Sequence, residues 1–504
     1  MSTTQNKNRL IRSTGFCITL TILFFLFHLI GITRHSFWTD ELHTYESSLL
    51  PMKELITNRM TAGQFPTYYI LIHYWCKFVG FSELSMRIPS LVFASISFLT
   101  FFFLCKRFMK DNLSFSLAIF LFFFHPYIFW SAQEARMYSL LILISLLSSY
   151  YLLTFIETTK NPYLIAYSMS VFVGMNLHIL FAFQIIIHFF FLLLHYRKLL
   201  FRWIASLIIP GLIFLIMYYL LFAVQKEYSP GLEVEVYRIG KYLKKIASLA
   251  FITPDGFAGN YYSLEDIVEK IPILFFAVFL VSSIVYLIKY TKRNSISQNP
   301  IHSDEEKKIL LLKYSFYSVL IMSILIYIID SFFYQGIGGR RHYSLIIPMV
   351  IIIMIIGFVN LKKNIVFRIF QSLFFVAFFG VLLLQMSWKG QGVGEGINFL
   401  KENYKNKDGV IFCREEGTKS AFSFYNIEYI SRIGINHRLE DTEQLLDTVK
   451  NYAFDKQRIW LFLYRSDDSP LPELLEEHPE ILEKFLDKKF FEVEIRGFTV
   501  EKTK

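Results

Sequence analysis

The sequence predicts a polytopic α-helical membrane protein that carries a small α/β domain after its last span. Three observations predict it. Of the 504 residues, 54% are hydrophobic and 18% aromatic, with 55 Phe, a composition that an ordinary water-soluble domain does not have. Apolar runs of bilayer-crossing length recur through residue 386, whereas residues 387–504 are polar. Lys and Arg sit mainly in short clusters between those runs, which is the pattern that orients membrane segments. The net charge of +10 therefore points to membrane topology, and nucleic acid is not an expected partner.

A bilayer core takes about 20 apolar residues per helix. On that measure about eleven spans are expected, at 14–33, 87–105, 113–130, 138–156, 162–177, 179–196, 203–223, 270–289, 314–333, 343–361 and 365–386. The first follows Lys7, Arg9 and Arg12 and precedes no small-residue cleavage site, so it reads as a retained helix rather than a signal peptide. An N-terminus on the cytoplasmic side brings Lys106/Arg107/Lys110, Arg197/Lys198/Arg202, Lys289/Lys292/Arg293 and Lys362/Lys363 to that same side. The expectation is a multi-pass protein of the cytoplasmic (inner) membrane, with a transmembrane module over 1–386. Three polar segments then lie outside: loops 34–86 and 225–269, and a soluble extracytoplasmic domain, 387–504.

In the first outer loop Trp38, Leu42, Tyr45 and Leu49 recur at helical spacing, as do Tyr68, Ile72 and Trp75 after Phe65-Pro66. Both segments read as amphipathic helices on the membrane surface. In the second loop Ile239, Leu243, Ile246 and Leu249 face away from Lys241, Lys244 and Lys245, an interfacial helix suited to lipid headgroups. The tail alternates: helix 397–404, strand 409–413, helix 442–452, strand 458–464, helix 472–488 and strand 490–500. It has no glycine-rich phosphate loop and no nucleophile motif, which suggests recognition or structural support. Cys17, Cys76, Cys105 and Cys413 have neither paired nor metal-like spacing.

Four elements put polar groups where the chain enters or leaves lipid, a costly placement unless they have partners or a task. They are Asp40-Glu41, the turn holding Glu134, Arg136 and Tyr138, the segment Asn176-Leu177-His178, and Arg340-Arg341-His342-Tyr343 after Gly336, Gly338 and Gly339. Each has a plainer explanation. Asp and Glu suit the first turn of a helix capped by Thr39, Glu134 and Arg136 can form a surface ion pair of small value, and a lone His178 can simply pack. Arg340 and Arg341 are more telling because they break the positive-inside pattern. Two guanidinium groups on a glycine-rich mouth suit a phosphate or pyrophosphate held at the membrane.

The order of these pieces carries a resemblance. An N-terminal span is followed by the acids within Phe37–Glu46, then by Gln64-Phe65-Pro66-Thr67-Tyr68-Tyr69-Ile70-Leu71-Ile72-His73, and then by Phe81-Ser82-Glu83-Leu84-Ser85-Met86-Arg87-Ile88-Pro89-Ser90. This resembles the glycosyltransferases of the GT-C fold, in the bacterial branch related to protein O-mannosyltransferases and the lipid A aminoarabinose transferase, over roughly residues 10 to 390. The resemblance implies an inverting transfer of a hexosyl or pentosyl unit from a polyprenyl-phosphate sugar, with no divalent metal and no other cofactor. Asp40 would be the general base on an acceptor hydroxyl, and Glu41 would orient the acceptor or the surroundings of the catalytic acid. Glu134, Arg136, Tyr138, His178, Arg340, Arg341 and Tyr343 would bind substrate, with the arginines on the lipid phosphate. The acceptor, whether glycan, lipid or protein, is not readable, and with a phosphate acceptor Asp40 would bind substrate instead. Two other classes compete. A lipid or solute transporter shares the span count but favours midplane charges and internal repeats, and a non-catalytic cell-envelope assembly protein would tolerate loss of Asp40.

Overall fold

The computed structural model describes residues 11–224, 262–293, 303–332, 340–361, 364–387, 392–413, 419–427, 429–435, 442–464, 471–478, 482–490 and 493–500. Its contacts divide the chain into two compact units: Met1–Ile30, Pro51–Trp75 and Arg87–Ser387 form one, and Gly31–Leu50, Cys76–Met86 and Trp388–Lys504 form the other.

The first unit is a multi-pass membrane bundle. Six helices are long and apolar enough to cross a bilayer: Glu83–Phe108, Tyr138–Thr158, Leu274–Thr291, Asp304–Ile329, Arg341–Asn360 and Ile365–Met386. Two further pairs, Asn112–Phe124 with Pro126–Ala132 and Arg197–Ser206 with Ile208–Leu220, are bent by 46° and 52°. Thr14–Leu29 and Phe181–His195 are apolar but short. The described residues thus hold six to eight crossing helices, and the expected eleven spans are not confirmed. Backbone chemistry accounts for part of the difference. Pro126 starts a new helix, and the His125 ring accepts the Tyr127 N–H at 3.2 Å, so the apolar run 113–130 is two helices. Asn161–Met175 has 15 residues, about 22 Å at 1.5 Å per residue against a hydrocarbon core of about 30 Å.

Two contacts fix the bundle's interior. Gly357 lies against the backbone of Phe279, where a Cβ would fall 2.0 Å from its carbonyl oxygen. Ser282 and Ser283 donate to the carbonyls of Gly357 and Ile353 at 2.8 and 2.7 Å along the same crossing, the small-residue contact typical of membrane helices. Elsewhere a buried polar knot joins four helices. The His188 ring bonds the hydroxyls of Tyr167 and Tyr314 at 2.9 and 2.7 Å, and the Gln184 amide donates to Ser149 and Tyr314 at 3.1 and 2.8 Å. Polar groups in lipid must find each other in this way.

The second unit is built on a five-stranded mixed sheet, β1 (Asp408–Cys413), β2 (Arg432–Ile435), β3 (Arg458–Tyr464), β4 (Leu482–Phe490) and β5 (Val493–Val500), in the order β2-β1-β3-β5-β4. β1 runs parallel to β2 and β3, while β5 is antiparallel to β3 and β4. Every residue of β1 is buried, as expected for a parallel strand covered on both faces. Ile411, Cys413, Ile459 and Leu461 meet Leu445, Val449 and Leu475 on one face. On the other, Phe412 packs against Phe422 and Phe462 at 4.4 and 4.9 Å. Asp408 anchors the β1 edge by accepting from Arg458 Nη2 at 2.5 Å, Trp460 Nε1 at 3.0 Å and the Lys405 N–H at 2.8 Å.

Residues 472–488, expected as one helix, form instead a short helix, Leu471–Glu476, followed by strand β4. The helix stops three residues before Pro479. β4 is an outer strand with mostly exposed side chains, so its Lys and Asp residues read as a helix's solvated face while guarding a sheet edge. β2 was not expected, because four residues carry no periodicity. The interfacial helix proposed around Ile239–Leu249 lies outside the described residues.

Within this unit the first-loop segment is stitched to the tail. Ser36 Oγ donates to Glu395 at 2.8 Å and accepts the Gly394 N–H at 3.0 Å. Tyr425 Oη donates to Glu83 at 2.8 Å and accepts the Phe37 N–H at 3.2 Å. A Cβ on Gly394 would meet Ser36 at 2.4 Å and Tyr425 at 2.6 Å, so only glycine permits this approach.

Candidate functional site

The residues singled out from sequence fall into both units. In the membrane unit the turn Gln133–Met137 links Pro126–Ala132 to Tyr138–Thr158. Gln133 donates its amide to the carbonyls of His28 and Ile30 at 2.8 and 2.9 Å, closing the end of the first helix. Glu134 is 1% exposed and Arg136 5%, which removes the plain reading of a surface ion pair. Arg136 Nη1 donates to Tyr69 Oη at 3.1 Å, and the hydroxyl of Tyr69 in turn donates to Gln64. The Arg59 guanidinium stacks 5.1 Å from the Tyr69 ring centroid. Tyr138 stacks on Trp130 at 5.7 Å.

Arg341 is the second residue of the 3-10 helix Arg340–Ile346, whose backbone is clamped from two sides: Tyr127 Oη donates to the Arg341 carbonyl at 3.0 Å and Ser145 Oγ to that of Leu345 at 2.8 Å. Tyr343 is fully buried in the same turn. His178 sits between helices Asn161–Met175 and Phe181–His195, and its Nδ1 accepts the Leu180 N–H at 3.1 Å. Its ring lies 6.3 Å from that of His342. Burial pushes the His178 pKa down to about 3, and positive charge on His342, Arg136 and Arg341 pushes it the same way. Thr67 Oγ1 donates to the Asn176 carbonyl, tying the Tyr69 helix to this turn. Arg136, Arg341 and His342 therefore lie close around a neutral His178, an arrangement that can hold an anion. The side chain of Arg340 lies outside the described residues.

In the second unit Asp40 and Glu41 open helix Thr39–Leu49. Glu41 is fully buried and its Oε2 accepts the Trp38 N–H at 3.4 Å, the carboxylate half of a capping box. Asp40 is half-buried one position earlier. The two acids are thus unequal, with Glu41 helping to hold the helix start and Asp40 placed beside it.

Two crystal structures of ArnT from Cupriavidus metallidurans, one apo and one bound to undecaprenyl phosphate, match this chain over 96% of its length and 98% of theirs, at 9% identity and TM-scores of 0.55 and 0.52. The chain has the GT-C fold. No protein-family model and no curated protein matches it by sequence, so the resemblance is carried by the fold. Within this GT-C bundle the structure joins three of the residues chosen from sequence, Arg136, His178 and Arg341. It adds His342, Tyr69 and Arg59, which the sequence reading did not select. His342 was within reach, because it adjoins Arg341 in the glycine-rich element. Arg59 was not, since nothing in its own stretch indicates that it stacks on Tyr69. Among the described residues no three His, Cys, Asp or Glu side chains are placed to share a metal ion.

Proposed function

We propose that the chain is a membrane glycosyltransferase that moves a sugar from a polyprenyl-phosphate donor to an acceptor on the non-cytoplasmic face. The observation that carries this reading is the grouping of Arg136, Arg341 and His342 around a neutral His178 in a bundle of GT-C fold. The lipid phosphate is the leaving group. It departs with the electrons of the anomeric C–O bond and needs positive charge more than a proton. Arg136 and Arg341 supply that charge in permanent form. The acceptor hydroxyl attacks the anomeric carbon from the opposite side, inverting it, and passes its proton to Asp40. Glu41, as part of the helix cap, holds Asp40's helix start in place. The charges already present do the work of a Lewis acid in this scheme, so activity is expected to persist in a chelator, and a reproducible loss would refute that part.

Asp40→Asn is expected to lower transfer by about 10² to 10⁴ while leaving membrane insertion unchanged, measured by following a panel of polyprenyl-phosphate sugars with mass spectrometry. Full activity in that variant would exclude Asp40 as the base. A second reading, a transporter, draws on the buried knot around His188, since polar groups inside a membrane bundle also mark transport paths. Lipid movement across proteoliposomes that survives Asp40→Asn and is abolished by His188→Leu would favour it.

A further inference from the structure

The second unit contains a cavity of about 580 Å³ to which the transfer chemistry assigns no role. That volume falls within the range of small-molecule sites, roughly 300–1,000 Å³. It lies between the first-loop segments and the tail. Tyr45 and Phe81 come from the former, Phe424 and Asn398 from the latter. Tyr45 packs edge-on to Phe81 at 5.8 Å and to Phe424 at 4.9 Å, and Phe424 is braced from behind by Phe37 at 4.6 Å. Tyr45 and Phe37 are buried and Phe81 and Phe424 half-buried, so packing holds the wall in a preformed shape.

The polar lining has one chemical character. Asn398 and Asn426 offer exposed amides, and Glu83 a carboxylate whose orientation Tyr425 sets. Among the lining residues there is no Lys, Arg or His, so the cavity does not suit a phosphate or a carboxylate, in contrast to the cluster around His178. Aromatic rings beside amides and a carboxylate match a ligand that is uncharged, rich in hydroxyl groups and apolar on its C–H faces. A sugar ring has those properties. The carboxylate accepts two hydroxyl donors at once, and each amide both donates and accepts.

We infer that this cavity binds a neutral oligosaccharide through ring stacking on Phe424 and Phe81 and hydrogen bonds to Asn398 and Asn426. Its role as the acceptor's docking site rests on the transferase reading; the binding itself does not. The test uses the full chain in detergent and saturation-transfer NMR with neutral mannose, glucose and N-acetylglucosamine trisaccharides. At least one is expected to bind, with saturation strongest on its C–H faces. Phe424→Leu, which keeps apolar volume but removes the ring, and Asn398→Ala at an exposed position that does not threaten folding, are each expected to weaken binding about fivefold. The inference is overturned if no trisaccharide binds at millimolar concentration, if both variants bind with wild-type affinity, or if a sulfated trisaccharide competes more strongly than its neutral parent. Wild-type donor hydrolysis in the same preparation separates the two claims. Hydrolysis without glycan binding defeats the cavity alone, and glycan binding without hydrolysis of any donor defeats the transferase reading alone.

Discussion

His178 has its pKa driven to about 3 from an ordinary 6.5, and the sign of the effect is testable. Above pH 6.5 the ring is neutral in both folded and unfolded chains. Between 6.5 and about 3 only the unfolded chain takes up the proton, so stability falls as pH falls through that window. His178→Gln is expected to flatten this acid limb in thermal melts of the detergent-solubilised protein. An anion bound among Arg136, Arg341 and His342 would reverse the local field and raise the His178 pKa. Binding of a polyprenyl phosphate should then tighten as pH falls through that raised pKa, and lose that dependence in His178→Gln. Arg341→Ala is expected to weaken the same ligand about ten- to a hundredfold, the loss of one charge-assisted contact, and to affect acceptor affinity less; equal effects in a binding assay would speak against a phosphate role. At this scale the sequence disclosed residue types but not their neighbours. Arg341 was visible as a charge on the wrong side of the positive-inside pattern, whereas the burial of Glu134 and the capping by Glu41 depend on contacts that one sequence does not contain.

Helices and strands show where local pattern is enough and where it fails. All described apolar runs are helical, because lipid leaves the backbone no other internally satisfied form. Their breaks are a different matter. Pro126 and Pro210 lie near two of them, yet hydropathy averages across a bend and does not register a helix a turn too short, so eleven spans are expected from sequence where six to eight helices of the described residues meet the length of a bilayer. β4 failed for the opposite reason: its charges at roughly helical spacing concealed an outer strand whose partner, β5, defines it. Crossings are decided by small residues. Gly357→Ala would place a methyl group against the Phe279 carbonyl, and a cost of about 1–3 kcal/mol is expected from this overpacking, read as a lowered melting temperature with unchanged helical content.

For the molecule as a whole, the division into two units ignores chain order. Residues 31–50 and 76–86 belong with the tail, so a chain ended after Ser387 is expected to insert its helices while the Phe37 and Tyr45 segment loses its cover. Limited proteolysis should then cut within residues 31–50 of the truncated chain and spare the intact one. Tyr425→Phe, which removes the hydroxyl shared by Glu83 and the Phe37 N–H, is expected to produce a milder form of the same exposure. Ser36 and Glu395, joined by one hydrogen bond, are 359 positions apart. At a synthesis rate of about 5–20 residues per second, the ribosome needs roughly 20 to 70 s to travel between them. During that interval the nascent segment bearing Ser36 and Asp40 waits without the tail residues that cover it in the finished fold.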